Sequence, residues 1–281
     1  VTKLPLIAIA AAAALVGCQS DTRALEKKID DLSKKIDELA KHGGVGAAQQ
    51  RPARPSADPA KTYAVPVDGD PVDGPADAKV TLVKGYDYAC PYCQRVGDTM
   101  DELKKKYGND LRIVYKQFVV HPQVAMAGAL AACAANKQGK FLELDKLLWD
   151  KGFKGRQFDK DATPAEAGGQ AKRCWESDDG CPVVIGFATE VGLDIPKFKA
   201  DMKECNNLVQ KDMKDLQALA VGATPAFFIN GRFLSGAMPI ENFSAVIDEE
   251  LKKANDAIAK GVPQSKYYEQ EIVGKGLKNV Q

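Results

Sequence analysis

The sequence predicts an α/β domain built from a βαβ half and a ββα half, with a helical insertion between them and a short coiled-coil helix in front. Three observations predict it. An apolar, β-rich run at 80–86 leads into a helical pattern at 91–107 and then a β-branched run at 111–119. Asn230-Gly231 joins 226–230 to 232–235, the strongest short hairpin signal available, and a helical pattern follows at 240–260. Between the halves, 122–137 and 141–150 have helical patterns, and 153–222 reads as several helices and turns, so the insertion runs over about 121–221.

The segments before the domain read in order. Lys3 precedes an apolar, alanine-rich stretch at 4–16, too short to span a bilayer comfortably. It ends in Leu15-Val16-Gly17-Cys18, which resembles the lipobox of bacterial lipoproteins. The resemblance implies removal of 1–17 as a signal peptide, lipidation of Cys18 and attachment to a membrane through it. An ordinary secretory signal is the alternative. Gln19 in place of an aspartate leans towards the outer membrane. The expected location is therefore the bacterial cell envelope, facing the periplasm.

Within 18–42, Leu25, Ile29, Leu32, Ile36 and Leu39 alternate at spacings of four and three, with Ile at a and Leu at d. Asp30–Lys34, Asp31–Lys35 and Asp37–Lys41 add i,i+4 pairs. About three heptads, roughly 30 Å of helix, predict a homo-oligomer, dimer or trimer, through 21–41. The pattern is similar to the start of bacterial murein lipoprotein. Residues 43–61, rich in Gly, Ala and Pro, read as a linker with an average span of about 25 Å. Residues 62–281 are left for the domain. With 39 basic and 38 acidic residues there is no domain-wide basic field, so nucleic acid is not an expected partner.

Cys90-Pro91-Tyr92-Cys93 carries the chemistry. Cys90 stands just before a helix with Pro91 at its first position. There the helix dipole and unpaired N–H groups favour a thiolate. Cys93, Val96, Met100 and Leu103 repeat at helical spacing, so Cys93 is expected inside and Cys90 exposed. A structural disulfide or half of a zinc site are the alternatives for the motif. Of 7 cysteines, Cys133, Cys174, Cys181 and Cys205 remain. Four cysteines allow three pairings. Cys174–Cys181, flanking a polar turn-rich hexapeptide, with Cys133–Cys205, is the favoured one. By loop entropy the bridges contribute about 2.5 and 4.4 kcal/mol. No metal or organic cofactor is implied.

The segment Tyr86-Asp87-Tyr88-Ala89-Cys90-Pro91-Tyr92-Cys93 resembles the active-site segment of DsbA-like thiol–disulfide oxidoreductases, which have a thioredoxin-like fold. So do Phe118-Val119-Val120-His121-Pro122, Gln138-Gly139-Lys140-Phe141, and the run from Val221 through Thr224-Pro225 to Gly231, in the family's order. The resemblance implies Cys90 as nucleophile, Cys93 as resolving thiol, and Pro91 and Tyr92 as tuning residues. It implies a cis Thr224–Pro225 bond facing the cysteines, where the Thr224 backbone pairs with an extended substrate. It also implies a structural His121. One position departs: Lys84 stands where many relatives carry a carboxylate, followed by Gly85 where a bulky aromatic is usual. A nearby ammonium favours thiolate; a lysine that snorkels to the surface does nothing to it.

The expected function is a lipid-anchored enzyme that forms or rearranges disulfides in unfolded or mispaired exported proteins, served by a membrane redox partner, as oxidase or as isomerase. A non-catalytic lipoprotein tether or client-binding module is the alternative.

Overall fold

The computed structural model describes residues 20–42, 56–161 and 173–280. The apolar N-terminal stretch, Cys18 and the linker residues 43–55 lie outside the described residues. The chain divides into two units, Val1–Arg54 and Pro55–Gln281. In the first, helix α1 (Ser20–His42) runs unbroken through the heptads, and Leu25, Ile29 and Leu32 are exposed along it.

The second unit is built on a five-stranded sheet. Its strands are β1 (Val72–Asp73), β2 (Val80–Tyr86), β3 (Leu111–Gln117), β4 (Ala226–Ile229) and β5 (Arg232–Ser235), in the order β1-β3-β2-β4-β5. β2 and β3 are parallel, and β1, β4 and β5 run antiparallel to their neighbours. Helices α2 (Pro91–Arg95) and α3 (Gly97–Tyr107) form the crossover from β2 to β3. The insertion holds α4 (Pro122–Asn136), α5 (Phe141–Leu147), a π-helical turn at Leu148–Lys154, α6 (Pro182–Glu190) and the long α7 (Ile195–Ala218). Helix α8 (Ile240–Ala259) follows the hairpin.

Strand alternation decides which core each residue enters. Val80, Leu82 and Tyr86 of β2 join the larger cluster with Cys93, Met100 and Ala129, whereas Val83 joins Val114 and Phe228 on the other face. Lys84 shares the parity of Leu82 and Tyr86, so its chain leaves the sheet on the Cys93 side. Gly85 points the opposite way, against α7: a Cβ there would stand 3.0 Å from Leu216 Cδ1. Leu216 thus takes the space that an aromatic at position 85 would need. Disulfides join Cys133 of α4 to Cys205 of α7 and Cys174 to Cys181, with Cα–Cα distances of 5.9 and 4.8 Å.

The structure differs from the sequence expectations in two places. The helix expected at 91–107 is broken at Val96 into α2 and α3. The described part of 153–222 holds several helices and turns as expected, the longest being α7 of 24 residues, capped by Asp194, whose side chain accepts from Lys197 N at 2.8 Å. The expected linker ends too late. Ala57 is buried, Asp58 N donates to Tyr63 Oη at 2.7 Å and Arg232 Nε donates to Pro59 O at 3.3 Å, so 56–61 packs on the domain.

Candidate active site

Cys90 is the residue preceding α2 and has extended backbone, with Pro91 opening the helix. Its exposure is 4 %, and that of Cys93 is 1 %. The expectation of an exposed Cys90 is therefore corrected. The loop before β4 covers it: the Thr224–Pro225 peptide is cis, and Cys90 Sγ donates to Thr224 O at 3.4 Å. Tyr92 is 54 % exposed, with Arg95 stacked 5.1 Å from its ring.

The two thiols differ in acidity. A hydrogen bond from Cys93 is the largest influence on Cys90, outweighing burial; Thr224 and the N–H groups of Cys93 and Tyr92 add to it. Together they hold Cys90 at about 5 against an ordinary 9.0. Cys93 is pushed far upward, first by burial and then by its neighbour Cys90. At neutral pH one thiol is ionised and the other keeps its proton, which is the state needed for one-directional attack.

Behind Cys93 a cavity of about 510 Å³ opens between α3, α5 and the sheet, with Lys84, Tyr115, Asp145 and Trp149 in its wall. Lys84 is 3 % exposed, so it does not snorkel. Its Nζ lies 5.2 Å from the Tyr86 ring and 5.7 Å from those of Tyr115 and Trp149. Among the described residues no carboxylate lies within 4.0 Å of it. A desolvated cation over an aromatic ring gains about 2 kcal/mol or more, against the several kcal/mol that burying an ammonium costs. At these separations, near the limit of such contacts, the rings fall short. Burial accordingly pulls Lys84 down from its ordinary value, opposed first by Asp145 and then by Cys93. Asp145 is itself pushed up by burial. It is fixed by a chain of donors: Gln117 Nε2 to Tyr86 Oη at 2.7 Å, Tyr86 Oη to Tyr88 Oη at 3.1 Å, and Tyr88 Oη to Asp145 Oδ1 at 2.5 Å.

Of the residues singled out in the sequence, Cys90, Pro91, Tyr92, Cys93, Lys84, Thr224 and Pro225 meet in this one region. Cys133, Cys174, Cys181 and Cys205 form the two disulfides of the insertion. Two residues of the region were missed. Asp145 lies on a helix 61 positions from Lys84, and no local pattern points to it. Asp87 is fully buried and accepts from Ala89 N (2.6 Å), Val120 N (2.6 Å), His121 N (2.8 Å) and His121 Nδ1 (3.1 Å). It ties the Cys90 loop to the start of α4. A carboxylate three residues before the first cysteine was the available signal.

A thioredoxin family profile matches residues 67–249. The chain is 31% identical over 206 residues to a Na(+)/H(+) antiporter NhaA of Herminiimonas arsenicoxydans, covering 72% of this chain and 29% of that protein. It is 33% identical over 192 residues to Na(+)/H(+) antiporter NhaA 3 of Salinispora tropica, covering 65% and 25%. The chain thus spans under a third of the length of these curated relatives. Among solved structures, BdbD from Bacillus subtilis in its oxidised form has a TM-score of 0.54 at 20% identity, covering 70% of this chain and 99% of that one. Wolbachia pipientis alpha-DsbA1 has a TM-score of 0.52 at 16% identity, covering 69% and 96%. With a profile match over most of the domain and a helical insertion between the βαβ and ββα halves, the chain belongs to the thioredoxin family and has the fold of its DsbA-like thiol–disulfide oxidoreductases.

Proposed function

We propose that this protein is an exported thiol–disulfide oxidoreductase that passes a Cys90–Cys93 disulfide to unfolded or mispaired exported proteins. A client thiolate attacks Cys90 Sγ, the Cys90–Cys93 bond breaks, and Cys93 leaves and takes a proton. A second client thiolate then attacks the client sulfur of the mixed disulfide, and Cys90 leaves as thiolate. Two electrons pass from client to enzyme, and a membrane redox partner removes them. No metal or organic cofactor takes part. The single observation carrying this reading is the placement of Cys90 at the opening of α2, beside Cys93 and against the cis Thr224–Pro225 loop, which holds its acidity at about 5 and pushes Cys93 the other way. A stabilised thiolate stabilises the reduced pair, which makes the disulfide an oxidant. Oxidation is therefore the direction we favour.

Pro91 and Tyr92 tune that thiolate from the start of α2, and the Thr224–Pro225 backbone, 3.4 Å from Cys90 Sγ, is the place for a client strand to pair. The two disulfides of the insertion support an oxidising compartment. Attachment through a lipidated Cys18, with a lean to the outer membrane, rests on the lipobox resemblance alone. The domain organisation follows: signal peptide 1–17, anchor and coiled coil 18–42, linker from 43, then the catalytic domain.

The test is substrate trapping. Cys93→Ser protein is expected to accumulate mixed disulfides as its Cys90 thiolate attacks disulfide-bonded client proteins, and Cys90→Ser to form none and to lose dithiol oxidation. A lipoprotein tether or client-binding module would keep its biological activity in Cys90→Ser, and that result would overturn the enzymatic reading.

One observation favours a second direction. Leu25, Ile29 and Leu32 lie exposed on one heptad seam of α1, as a self-associating helix requires. Several active sites around one client suit disulfide isomerisation. Protein beginning at Gln19 is expected to sediment as a dimer or trimer and protein beginning at Pro55 as a monomer. If the longer form reactivates scrambled ribonuclease and the shorter only oxidises reduced ribonuclease, isomerase is the working direction.

A further inference from the structure

The cavity of about 510 Å³ beside Cys93 carries charges that the exchange at Cys90 does not use. Lys84 and Asp145 both line it. Lys84 is 3 % exposed, and among the described residues its Nζ has no hydrogen-bond partner and no carboxylate within 4.0 Å. Among those residues the fully enclosed side-chain polar atoms without a partner are Asp70 Oδ1 and Gln117 Oε1. Lys84 Nζ is not one of them, so the cavity reaches it. Asp145 is the strongest charge opposing the burial of Lys84, yet it lies beyond contact distance. Tyr88 Oη donates to its Oδ1 at 2.5 Å. A carboxylate has about four lone-pair sites, so Asp145 keeps room for another donor.

The other charges of the wall cancel among themselves. Lys104 is paired with Asp73 at 2.6 Å and with Asp101 at 3.1 Å. Asp150 is paired with Lys146 at 2.5 Å and with Lys154 at 3.1 Å. Asp98 is open to solvent, where salt screens its charge. What remains inside is one positive and one negative group, set apart from each other. Met100, Leu142 and Trp149 supply apolar wall around them.

We propose that this cavity binds a free α-amino acid, with its carboxylate against Lys84 Nζ, its ammonium against Asp145 and its side chain along Met100, Leu142 and Trp149. A ligand with a single charge meets one of the two inner groups as a like charge. A zwitterion meets both as opposites, and it bridges two groups that are too far apart to bond each other. Its carboxylate supplies the counter-charge that the rings of Tyr86, Tyr115 and Trp149 do not. The volume lies within the range of small-molecule sites, about 300–1,000 Å³. Cys93 stands in the same wall, so the amino acid lies beside the buried thiol. The inference does not depend on exchange at Cys90, and its test reads no thiol chemistry.

The experiment is an NMR titration of isotope-labelled protein with L-methionine, read at the indole N–H of Trp149. The chain has 2 tryptophans, and Trp175 lines a different pocket, so its signal is an internal control and Trp175→Phe assigns the pair. L-Methionine is expected to shift the Trp149 signal saturably, with a midpoint below about 1 mM, and to leave Trp175 in place. 3-(Methylthio)propylamine and 4-(methylthio)butanoate each lack one of the two charges, and each is expected to bind at least about 10-fold more weakly. Lys84→Met and Asp145→Asn are each expected to weaken L-methionine by at least about 10-fold. The analogues act on the unaltered protein, so they decide the matter even where a substitution fails to fold. The proposal is overturned if Trp149 shows no saturable shift up to about 10 mM. It is also overturned if either analogue, or L-methionine with Lys84→Met, gives the same midpoint.

Discussion

The described domain holds two kinds of cysteine pair, and burial does not separate them. Cys133–Cys205 lies between α4 and α7 with both residues almost fully enclosed, and Cys90 and Cys93 are as deeply enclosed in surface terms. What separates them is the supply of donors. Cys133 and Cys205 are surrounded by apolar side chains of the main core and are joined to each other. Cys90 faces the N–H groups that open α2 and the thiol of Cys93, and these outweigh the burial that alone would push it up. Cys93, one helical turn further in, has burial without enough donors and goes up. Thiol chemistry here is a matter of which sulfur has partners for its negative charge.

Removing the structural bridges sharpens the contrast most. Cys133→Ala with Cys205→Ala is expected to cost about 4 kcal/mol of stability, and Cys174→Ala with Cys181→Ala about 2.5 kcal/mol, measured by urea unfolding. Neither double substitution should move the pH dependence of Cys90 alkylation. A shift of that profile with either would mean that the bridges shape the reactive site, and the division between the two kinds of pair would fail.

The elements legible in the sequence were those with local signals. The β2–helix–β3 order, the Asn230-Gly231 hairpin and α8 each carry their own periodicity or turn chemistry. The break at Val96 has no such signal. Helix α7 did have one, Asp194 capping ahead of Pro196 with Phe198, Met202, Cys205 and Val209 at helical spacing, but the charged residues between them blurred the pattern. Around the thiols, Cys90, Cys93 and Pro225 were named from short motifs and a family resemblance. The enclosure of Cys90 was not legible, because it comes from Thr224, 134 residues away. Lys84 could be read as snorkelling only because Tyr86, Tyr115, Trp149 and Asp145, which enclose it, come together through the fold. Residues 56–61 had a linker's composition, and their docking depends on Tyr63 and Arg232.

A smaller effect follows from the acidity itself. The Cys90 thiol is lowered from 9.0 in the unfolded chain to about 5 in the folded one. Its contribution to the stability of the reduced protein is therefore fully present above pH 9 and is lost as pH falls through 5. At pH 7 it is on the order of 2 kcal/mol. Reduced wild-type protein is expected to gain stability over Cys90→Ser between pH 5 and pH 9 in thermal unfolding. A difference that stays flat over that range would place the acidity elsewhere.

The most direct measurement is the rate of iodoacetamide alkylation of each thiol in the reduced protein from pH 4 to pH 9, with the modified cysteine identified by peptide mapping. The account predicts that Cys90 reacts with a midpoint at about pH 5 and that Cys93 stays unmodified throughout. A Cys90 midpoint near 9, or equal modification of the two thiols, would contradict it.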